Sequence, residues 1–280
     1  MRYKLSNEHL TITVATRGAE LVHVLCDGKE RLWQNEDGSW RGHAPVLFPV
    51  CGHCGMTVEG KDYPLSAHGF AKKSEFTLFS RSESHLCFRL DSSEATARVY
   101  PFAFRFLVRY ELHGRALKVT YEVQNPQDKP LYFSCGGHES YALERTLADY
   151  KLVFPAPVQL THLFHDEGGY LTGETLDFGM RRELPLPEEL LQDGNTLILK
   201  NLAVREATLC TKEGERVASL AFPDFANLLL WRPGNAKMIC IEPWGNLPDA
   251  VGERKEFAQK AGVVCVAPHE TKSLTHTIEY

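Results

Sequence analysis

Residues 100–112 read YPFAFRFLVRYEL and carry an apolar side chain at every second position from Phe102 to Leu112. The charged side chains of this stretch fall between them, at Arg105, Arg109 and Glu111. Because successive side chains of a β-strand point to opposite faces, this alternation is typical of a strand with one buried and one solvated face. We therefore predict a strand over residues 100–112.

A second alternating run follows this strand after a short turn. Residues His113-Gly114-Arg115 have turn composition, and apolar side chains then alternate with polar ones from Leu117 to Val123, which predicts an antiparallel hairpin. Helical periodicity is confined to residues 187–191 and 253–260, too little for the alternating βαβ units of a nucleotide-binding fold. Period-two alternation recurs throughout the chain, in residues 10–14, 21–25, 76–79, 86–90, 197–199, 217–222 and 274–278.

Alternation of apolar and polar residues recurs from residue 10 to the end of the sequence. No internal repeat, Gly/Ser-rich linker or charge tail divides it, so we predict one domain over residues 1–280. An antiparallel sheet system of this length must close on itself or pack two sheets face to face, because its apolar faces and its strand edges need protection. The sequence therefore predicts an all-β protein built as a large antiparallel β-sandwich with a groove on one sheet.

The composition is that of an ordinary globular protein, with 280 residues, 43% apolar and 24% charged side chains. The formal net charge is −5 and no block of five like charges occurs, so no basic stripe is available to neutralise nucleic-acid phosphates. The first residues lack the apolar run of a signal peptide, and no stretch approaches the roughly 18 apolar residues of a membrane helix. We therefore expect a cytoplasmic protein with neither a nucleic-acid nor a membrane partner.

The most conspicuous short motif is Cys51-Gly52-His53-Cys54, whose spacing suits thiol–disulfide exchange or half of a zinc site. A thioredoxin-like motif opens a helix within a βαβ pattern, which this region lacks. A structural zinc needs a second pair of ligands, and the only other close pair is His162 and His165. The pattern favours a glycine-containing turn with reduced, buried thiols and no metal. Thiol exchange through Cys51 and Cys54 stays an alternative.

Two histidines and one glutamate lie in apolar, turn-rich surroundings: His68, His138 and Glu242. A histidine beside a glycine is more often a satisfied turn residue than a catalytic one. Glu242 follows four apolar residues and precedes Pro243-Trp244, so we expect its carboxylate at the end of a buried strand. Desolvation there is costly unless the carboxylate has a partner or a chemical task. A structural salt bridge is the competing explanation.

An imidazole and a carboxylate placed together on a sheet suit proton transfer at two oxygens of one substrate. Trp244, and with it Trp231, has a flat apolar surface on which a sugar ring can stack. These residue types point to a small-molecule sugar as the ligand. Long segments separate positions 68, 138 and 242, so the sequence alone does not show that they converge.

At these residues the chain resembles the aldose 1-epimerase (galactose mutarotase-like) family, in particular its shorter bacterial branch. Each motif that carries the resemblance is short, but the set is ordered and spans nearly the whole chain. The motifs are GAEL at 18–21, Trp40, APVLFP at 44–49, HGFA at 68–71, YFS at 132–134, GGH at 136–138, IEPWG at 241–245 and the closing residues 257–280.

The resemblance implies a β-supersandwich fold and an isomerase, an aldose 1-epimerase (mutarotase) that interconverts α and β anomers by acid–base ring opening and closure, without metal or organic cofactor. It implies that Glu242 removes the proton of the C1 hydroxyl, that His138 protonates the ring oxygen, and that His68 binds and polarises the sugar. Such chemistry starts from an ionised glutamate and a protonated imidazole. A non-catalytic carbohydrate-binding or sensing protein on the same fold is the alternative.

Several positions depart from the family pattern. His53 stands roughly where the family carries an arginine that contacts the sugar, and Lys72 replaces an arginine after the His68 turn. Glu139 follows His138 where proline is common. These departures bear on which sugar is bound, and leave the proposed acid–base pair in place.

The candidate substrate-binding residues follow from the resemblance and its departures. Asp193 is the candidate for the carboxylate that binds sugar hydroxyls in longer family members. A cation at Arg41 or Lys72 favours an anionic sugar, with a solvated surface charge as the alternative. The full set of candidates is His68, His53, Arg41, Lys72, Trp244 and Asp193. The sequence predicts neither the particular aldose nor the oligomeric state.

Overall fold

The computed structural model describes residues 1–280, apart from the side chain of Asp193. Within this described chain, helical structure is limited to one α-helical turn, α1 (Glu94–Ala97), and four 3₁₀ segments at Ala71–Lys73, Leu147–Asp149, Glu188–Gly194 and Phe257–Gln259. None of these helical segments has the length and apolar character required to cross a membrane. The strands are β1 (Arg2–Ser6), β2 (Leu10–Ala15), β3 (Leu21–Cys26), β4 (Lys29–Glu30), β5 (Met56–Val58), β6 (Lys61–Tyr63), β7 (Thr77–Arg81), β8 (His85–Asp91), β9 (Arg105–His113), β10 (Ala116–Gln124), β11 (Leu131–Phe133), β12 (Glu139–Ala142), β13 (Tyr150–His165), β14 (Leu171–Pro185), β15 (Leu197–Leu199), β16 (Glu206–Thr211), β17 (Arg216–Ala221), β18 (Asn227–Trp231), β19 (Met238–Trp244), β20 (Val264–Val266) and β21 (Thr271–Glu279).

The predicted hairpin is confirmed in β9 and β10. The two strands pair antiparallel, with His113 opposite Ala116 at the turn. Gly114 lies in the left-handed region at φ +58°, a backbone conformation that glycine adopts without steric cost. The alternation of the sequence appears in β10 as a strict alternation of buried and partly exposed residues.

The first residues of the 100–112 stretch lie outside the hairpin, because β9 begins only at Arg105. The prediction of a strand from residue 100 is therefore wrong at its start. Pro101 has no N–H for a strand ladder, and the N–H of Tyr100 donates to the carbonyl of Thr96 at 2.8 Å. The apolar spacing here reflects an aromatic cluster instead, in which the ring centroid of Phe104 lies 5.2 Å from that of Phe48.

Two sheets pack face to face, so the predicted all-β sandwich is confirmed. The larger sheet has 13 strands in the order β12-β19-β18-β15-β13-β16-β17-β21-β10-β9-β8-β7, with β14 paired to β13. The smaller sheet has the order β1-β2-β3-β4. Ile12 of β2 and Val108 of β9 belong to one buried cluster, and the Tyr110 hydroxyl of β9 donates to the carbonyl of Ala19 at 2.7 Å.

The long ribbon of β13 and β14 is the largest feature missing from the predicted strands. Its pairing contains three register shifts, which interrupt the regular alternation on which the sequence prediction depends. Apolar side chains of β14 also lie exposed, including Leu176 and Met180. The two predicted helical stretches are short 3₁₀ segments, Glu188–Gly194 and Phe257–Gln259.

A polar pair lies in the core beneath the larger sheet. Glu139 of β12 and His276 of β21 are 3% and 0% exposed. Glu139 Oε1 lies 2.8 Å from His276 Nε2. Glu139 Oε2 and His276 Nδ1 have no hydrogen-bond partner among the described residues. The contact compensates part of the desolvation of both groups and joins two strands that are far apart in the sheet order.

The turn that carries His68 docks on the segment that follows Leu47. The N–H groups of Phe70 and Ala71 both donate to the carbonyl of Phe48. Gly69 lies between the two segments at φ +67°, and a Cβ at this position would lie 2.2 Å from the Phe48 carbonyl oxygen. Glycine is thus required here by both its backbone conformation and the close approach.

We expect Gly69→Ala to lower the free energy of unfolding by clearly more than the roughly 1–2 kcal/mol that a left-handed backbone costs an L-residue. The added Cβ would also collide with the Phe48 carbonyl. Gly60→Ala is the matched control, because Gly60 has φ +74° and nothing within 4 Å of its Cβ position. Urea unfolding of both variants measures the difference, and equal destabilisation would contradict the close docking of the turn.

Candidate active site

His138 and Glu242 are brought together by the pairing of β12 with β19. Glu139 lies opposite Ile241 in this antiparallel register. The preceding residue, His138, therefore lies opposite Glu242, with both side chains on one face of the sheet. The distance from His138 Nε2 to Glu242 Oε2 is 3.3 Å. An imidazole and a carboxyl group that are remote in sequence thus make a direct contact.

The Glu242 carboxyl group is buried, with 1% of the residue exposed. Trp244, two residues further along β19 and on the same face, donates from Nε1 to Glu242 Oε2 at 3.1 Å. Burial raises the pKa of Glu242 well above its ordinary value, and the negative charge of Glu139 acts in the same direction. The Trp244 hydrogen bond and the charge of Lys72 oppose this rise in pKa. Glu242 is thus a carboxyl group for which the protonated form is favoured.

His138 is enclosed by aromatic rings. Its imidazole stacks on Trp40 with 5.3 Å between ring centroids and meets Trp231 edge-on at 5.9 Å. Its Nδ1 is buried without a hydrogen-bond partner among the described residues. Burial lowers the pKa of His138 to about 3, and the nearby charge of Lys72 contributes to this lowering. Burial therefore favours an uncharged imidazole beside a protonated Glu242, the opposite of the ionised starting state expected from the resemblance.

His68 is oriented by backbone contacts at its turn. It adopts φ +62°, and the N–H of Gly52 donates to its Nδ1 at 3.2 Å. Because Nδ1 accepts a hydrogen bond, the proton of the neutral ring resides on Nε2, which remains available as a donor. The His68 ring lies 5.2 Å from Trp244 and 5.7 Å from His138, measured between ring centroids. Burial, with the neighbouring His138 and Lys72, lowers the pKa of His68 well below its ordinary value.

These groups line one cavity of about 330 Å³, within the range of small-molecule sites. Three of the four tryptophans of the chain contribute to its walls. Lys72 adds an amino group without an ion-pair partner among the described residues, and burial lowers its pKa. The complete lining is Trp40, Gly42, Pro45, Leu47, His68, Lys72, His138, Thr196, Trp231, Glu242 and Trp244.

A smaller cavity of about 110 Å³ adjoins the first and shares His68, Thr196 and Trp244 with it. His53 lines this smaller cavity rather than the larger one, and its ring lies 5.2 Å from that of Tyr170. The structure therefore places His53 in the adjoining cavity and not in the lining of the cavity that contains His138 and Glu242.

The remaining predicted binding residues are placed differently. Arg41 is exposed and does not line either cavity. The side chain of Asp193 lies outside the described residues, so its predicted role stays a prediction. Thr196 lines both cavities and was not recognised in the sequence. The stacking role of Trp40 could have been suspected from the scarcity of tryptophan, of which the chain has four.

The Cys51–Cys54 motif forms a buried turn, as the sequence pattern favours. Both thiols are free and buried. Burial raises the pKa of Cys54 to about 12 and raises that of Cys51 well above its ordinary value. The side-chain amide of Asn246 holds the motif through both the N–H and the carbonyl of Cys51, at 2.8 and 3.0 Å. Because the thiolate is the reactive form, this environment argues against thiol exchange.

The second candidate pair of metal ligands has backbone partners. His162 Nδ1 accepts from the N–H of Ile198 at 3.1 Å, and His165 Nε2 accepts from the N–H of Thr196 at 3.3 Å. These hydrogen bonds fix the start of β15 beside the cavity. A zinc site that joins His162 and His165 to the cysteine motif is not supported.

Comparison with known proteins identifies the family. A family model described as aldose 1-epimerase matches residues 1–278. The chain belongs to the aldose 1-epimerase family. Two curated relatives are the chromosomal and plasmid forms of protein LacX from Lactococcus lactis subsp. lactis. Each is 28% identical over an aligned length of 296 residues, and the alignment covers 99% of this chain and 99% of the relative.

Solved structures related to the aldose 1-epimerase family confirm the galactose mutarotase-like fold. A galactose mutarotase-like protein from Lactobacillus casei ATCC 334 is 29% identical with a TM-score of 0.91, over 100% of this chain and 99% of that chain. A galactose mutarotase related enzyme from Lactobacillus acidophilus is 25% identical with a TM-score of 0.91, and the match covers 100% of this chain and 97% of that chain. A galactose 1-epimerase from Lactobacillus acidophilus NCFM shares the fold. It is 18% identical with a TM-score of 0.69, and the match covers 99% of this chain and 92% of that chain.

We expect iodoacetamide to modify one thiol of the folded protein, Cys265, because it is the only exposed cysteine of the eight. All eight should react after unfolding, since burial no longer suppresses thiolate formation. Mass spectrometry after alkylation at pH 8 counts the modified sites, and folded Cys265→Ser should remain unmodified. Alkylation of Cys51 or Cys54 in the folded protein as fast as that of Cys265 would reopen the thiol-exchange alternative.

Proposed function

We propose that this member of the aldose 1-epimerase family is a mutarotase that interconverts the α and β anomers of an aldose. The observation that carries the proposal is the His138–Glu242 contact of 3.3 Å at the wall of an aromatic cavity of small-molecule size. A carboxyl group and an imidazole so placed can act on two neighbouring oxygens of one sugar. The hydroxyl at C1 and the ring oxygen, both bonded to C1, are such a pair.

In the proposed reaction Glu242 accepts the proton of the C1 hydroxyl while His138 donates a proton to the ring oxygen. The bond between C1 and the ring oxygen breaks, C1 becomes the aldehyde carbon, and the ring oxygen leaves as a hydroxyl. Rotation about the C1–C2 bond presents the other face of the aldehyde. The two proton transfers then run in reverse, the ring closes to the opposite anomer, and both side chains return to their initial protonation states.

The neutral forms that burial favours are compatible with this cycle. A protonated Glu242 beside an uncharged His138 contains the same single proton as an ionised Glu242 beside a protonated His138. Transfer of that proton across the 3.3 Å contact interconverts the two states without exchange with solvent. The Trp244 hydrogen bond and the Lys72 charge both lower the pKa of Glu242 and thereby stabilise its ionised form.

The other cavity residues supply binding in this proposal. His68 donates from Nε2 to a sugar oxygen near the reacting centre, because its Nδ1 is already occupied by the Gly52 N–H. The rings of Trp40, Trp231 and Trp244 offer apolar surfaces for the faces of a sugar ring. Lys72 offers a positive charge to an anionic substituent. His53 lines the adjoining cavity and offers its imidazole to a part of the substrate that extends past His68.

A non-catalytic sugar-binding protein is the second candidate function. The pKa shifts of Glu242 and His138 favour it, because a neutral carboxyl group and a neutral imidazole are ordinary hydrogen-bonding groups for sugar hydroxyls. The two candidates differ in one observable property: the binding protein leaves the rate of anomer exchange at its spontaneous value.

We expect Glu242→Gln to lower the rate of enzyme-catalysed anomer exchange by about 10²–10⁴-fold, since the amide cannot accept the C1 proton. NMR saturation transfer between the α and β anomers measures exchange across a panel of neutral, phosphorylated and acidic aldoses. Glu206→Gln, the same change at an exposed position outside the cavity, is the control and should retain activity. Full activity in folded Glu242→Gln would refute the assignment. Sugar binding without acceleration by the wild-type protein would favour the binding-protein alternative.

If the substrate is an anionic aldose, Lys72→Met should raise its KM by about 10–100-fold, the factor expected from loss of one hydrogen bond to a charged group. Arg41→Met is the matched control, because Arg41 is exposed and lies outside the cavity. Steady-state measurements of KM for an anionic aldose and for its neutral counterpart distinguish an effect of substrate charge from an effect of substrate shape. Equal KM changes for both sugars would exclude recognition of a negative charge by Lys72.

A further inference from the structure

A third potential ligand atom lies beside the acid–base pair. The alternation of β19 places Cys240 on the same face as Glu242. Ser140 of β12 lies opposite Cys240, and His138, the residue before β12, lies opposite Glu242. The donor atoms of His138, Cys240 and Glu242 all lie within 4.8 Å of one another. Cys240 is buried and free, and the proposed anomerisation does not use it.

The three atoms suit one kind of metal ion. Imidazole nitrogen, thiolate sulfur and carboxylate oxygen are together the ligand types of zinc, and thiolate in particular selects against magnesium and calcium. The separation of 3.3 Å between His138 Nε2 and Glu242 Oε2 matches the edge of a tetrahedron whose zinc–ligand bonds are about 2.0–2.1 Å. A small movement of the Cys240 side chain completes a three-ligand site, and the cavity that His138 and Glu242 line has room for a fourth ligand.

We propose that His138, Cys240 and Glu242 form a zinc-binding site whose occupation inhibits the protein. Zinc bound there holds the His138 nitrogen and the Glu242 carboxylate that proton transfer needs. Burial alone disfavours the Cys240 thiolate, as it does the other buried thiolates, but a bound cation stabilises it. Binding therefore releases the thiol proton of Cys240, and the carboxyl proton of Glu242 where present, to solvent; no oxidation or reduction occurs. The inhibitory consequence rests on the proposed mutarotase function, whereas the site itself does not.

The surroundings favour a reversible inhibitor over a resident cofactor. The Trp244 Nε1–H orients the Glu242 carboxylate, as an outer hydrogen bond does for many metal ligands. His138 Nδ1, by contrast, has no hydrogen-bond partner among the described residues, whereas histidines of resident zinc sites usually have one. A site with three suitable ligands and an incomplete outer shell binds metal without depending on it for its structure.

Cobalt titration tests the site independently of activity. After removal of metal with a chelator, Co²⁺ added to the wild-type protein should produce the near-ultraviolet charge-transfer band that reports a thiolate–cobalt bond. Cys265→Ser, which removes the one exposed thiol, should keep the band. Cys240→Ser and Cys240→Ala should both lose it, so the test survives misfolding of either one. No band in the wild-type protein, or a band that persists in folded Cys240→Ser, would overturn the site.

Zinc titration of anomer exchange tests the consequence. Zn²⁺ should inhibit the wild-type protein and Cys265→Ser, and the concentration for half-inhibition should be at least about tenfold higher for Cys240→Ser, since the loss of even an outer-shell partner costs that much. Equal inhibition of folded Cys240→Ser would overturn the inhibitory role. A cobalt band in a protein that accelerates no anomer exchange would support the site while contradicting the mutarotase function, so the two failures are distinguishable.

Discussion

The pairing of β12 with β19 is the constraint on which the candidate site depends. Cross-strand neighbours on one face of an antiparallel pair are separated by about 4.5–5.5 Å between Cβ atoms, so the ladder alone sets the separation of His138 and Glu242. A slip of one residue in either strand would turn its cavity-facing side chain into the core. The aromatic walls of the cavity and the turn that carries His68 surround His138 and Glu242, whose separation is set by the backbone pairing.

The period-two pattern of the chain was sufficient to predict the all-β class and the β9–β10 hairpin, because both are local properties of alternating residues. The four apolar residues before Glu242 likewise predicted a buried carboxyl group. Convergence of His138 with Glu242 was beyond sequence reasoning from periodicity, since a register between strands far apart in sequence is set by tertiary packing. The resemblance to the aldose 1-epimerase family supplied that link. Of the two cations considered for an anionic sugar, Lys72 lines the cavity and Arg41 does not.

Desolvation governs the chemistry of the cavity in two opposing ways. The aromatic walls exclude water, which strengthens every electrostatic contact made inside. The same exclusion penalises the ionised forms of His138 and Glu242, and therefore favours a state in which neither is charged. In the proposed reaction a bound sugar replaces the missing water with hydroxyl groups at fixed positions. The proposed substrate thus supplies part of the polar environment that its own proton transfer requires.

The Glu139–His276 pair in the core has an evolutionary consequence. Removing one member of a buried pair leaves the other group uncompensated, at a cost of about 3–5 kcal/mol, whereas replacing both with apolar side chains can be nearly neutral. A lineage that replaces Glu139 with an apolar residue, or reverses that exchange, therefore passes through an unstable intermediate unless position 276 changes with it. Glutamate at 139 and histidine at 276 should accordingly be inherited as a unit, even though 137 residues separate them along the chain.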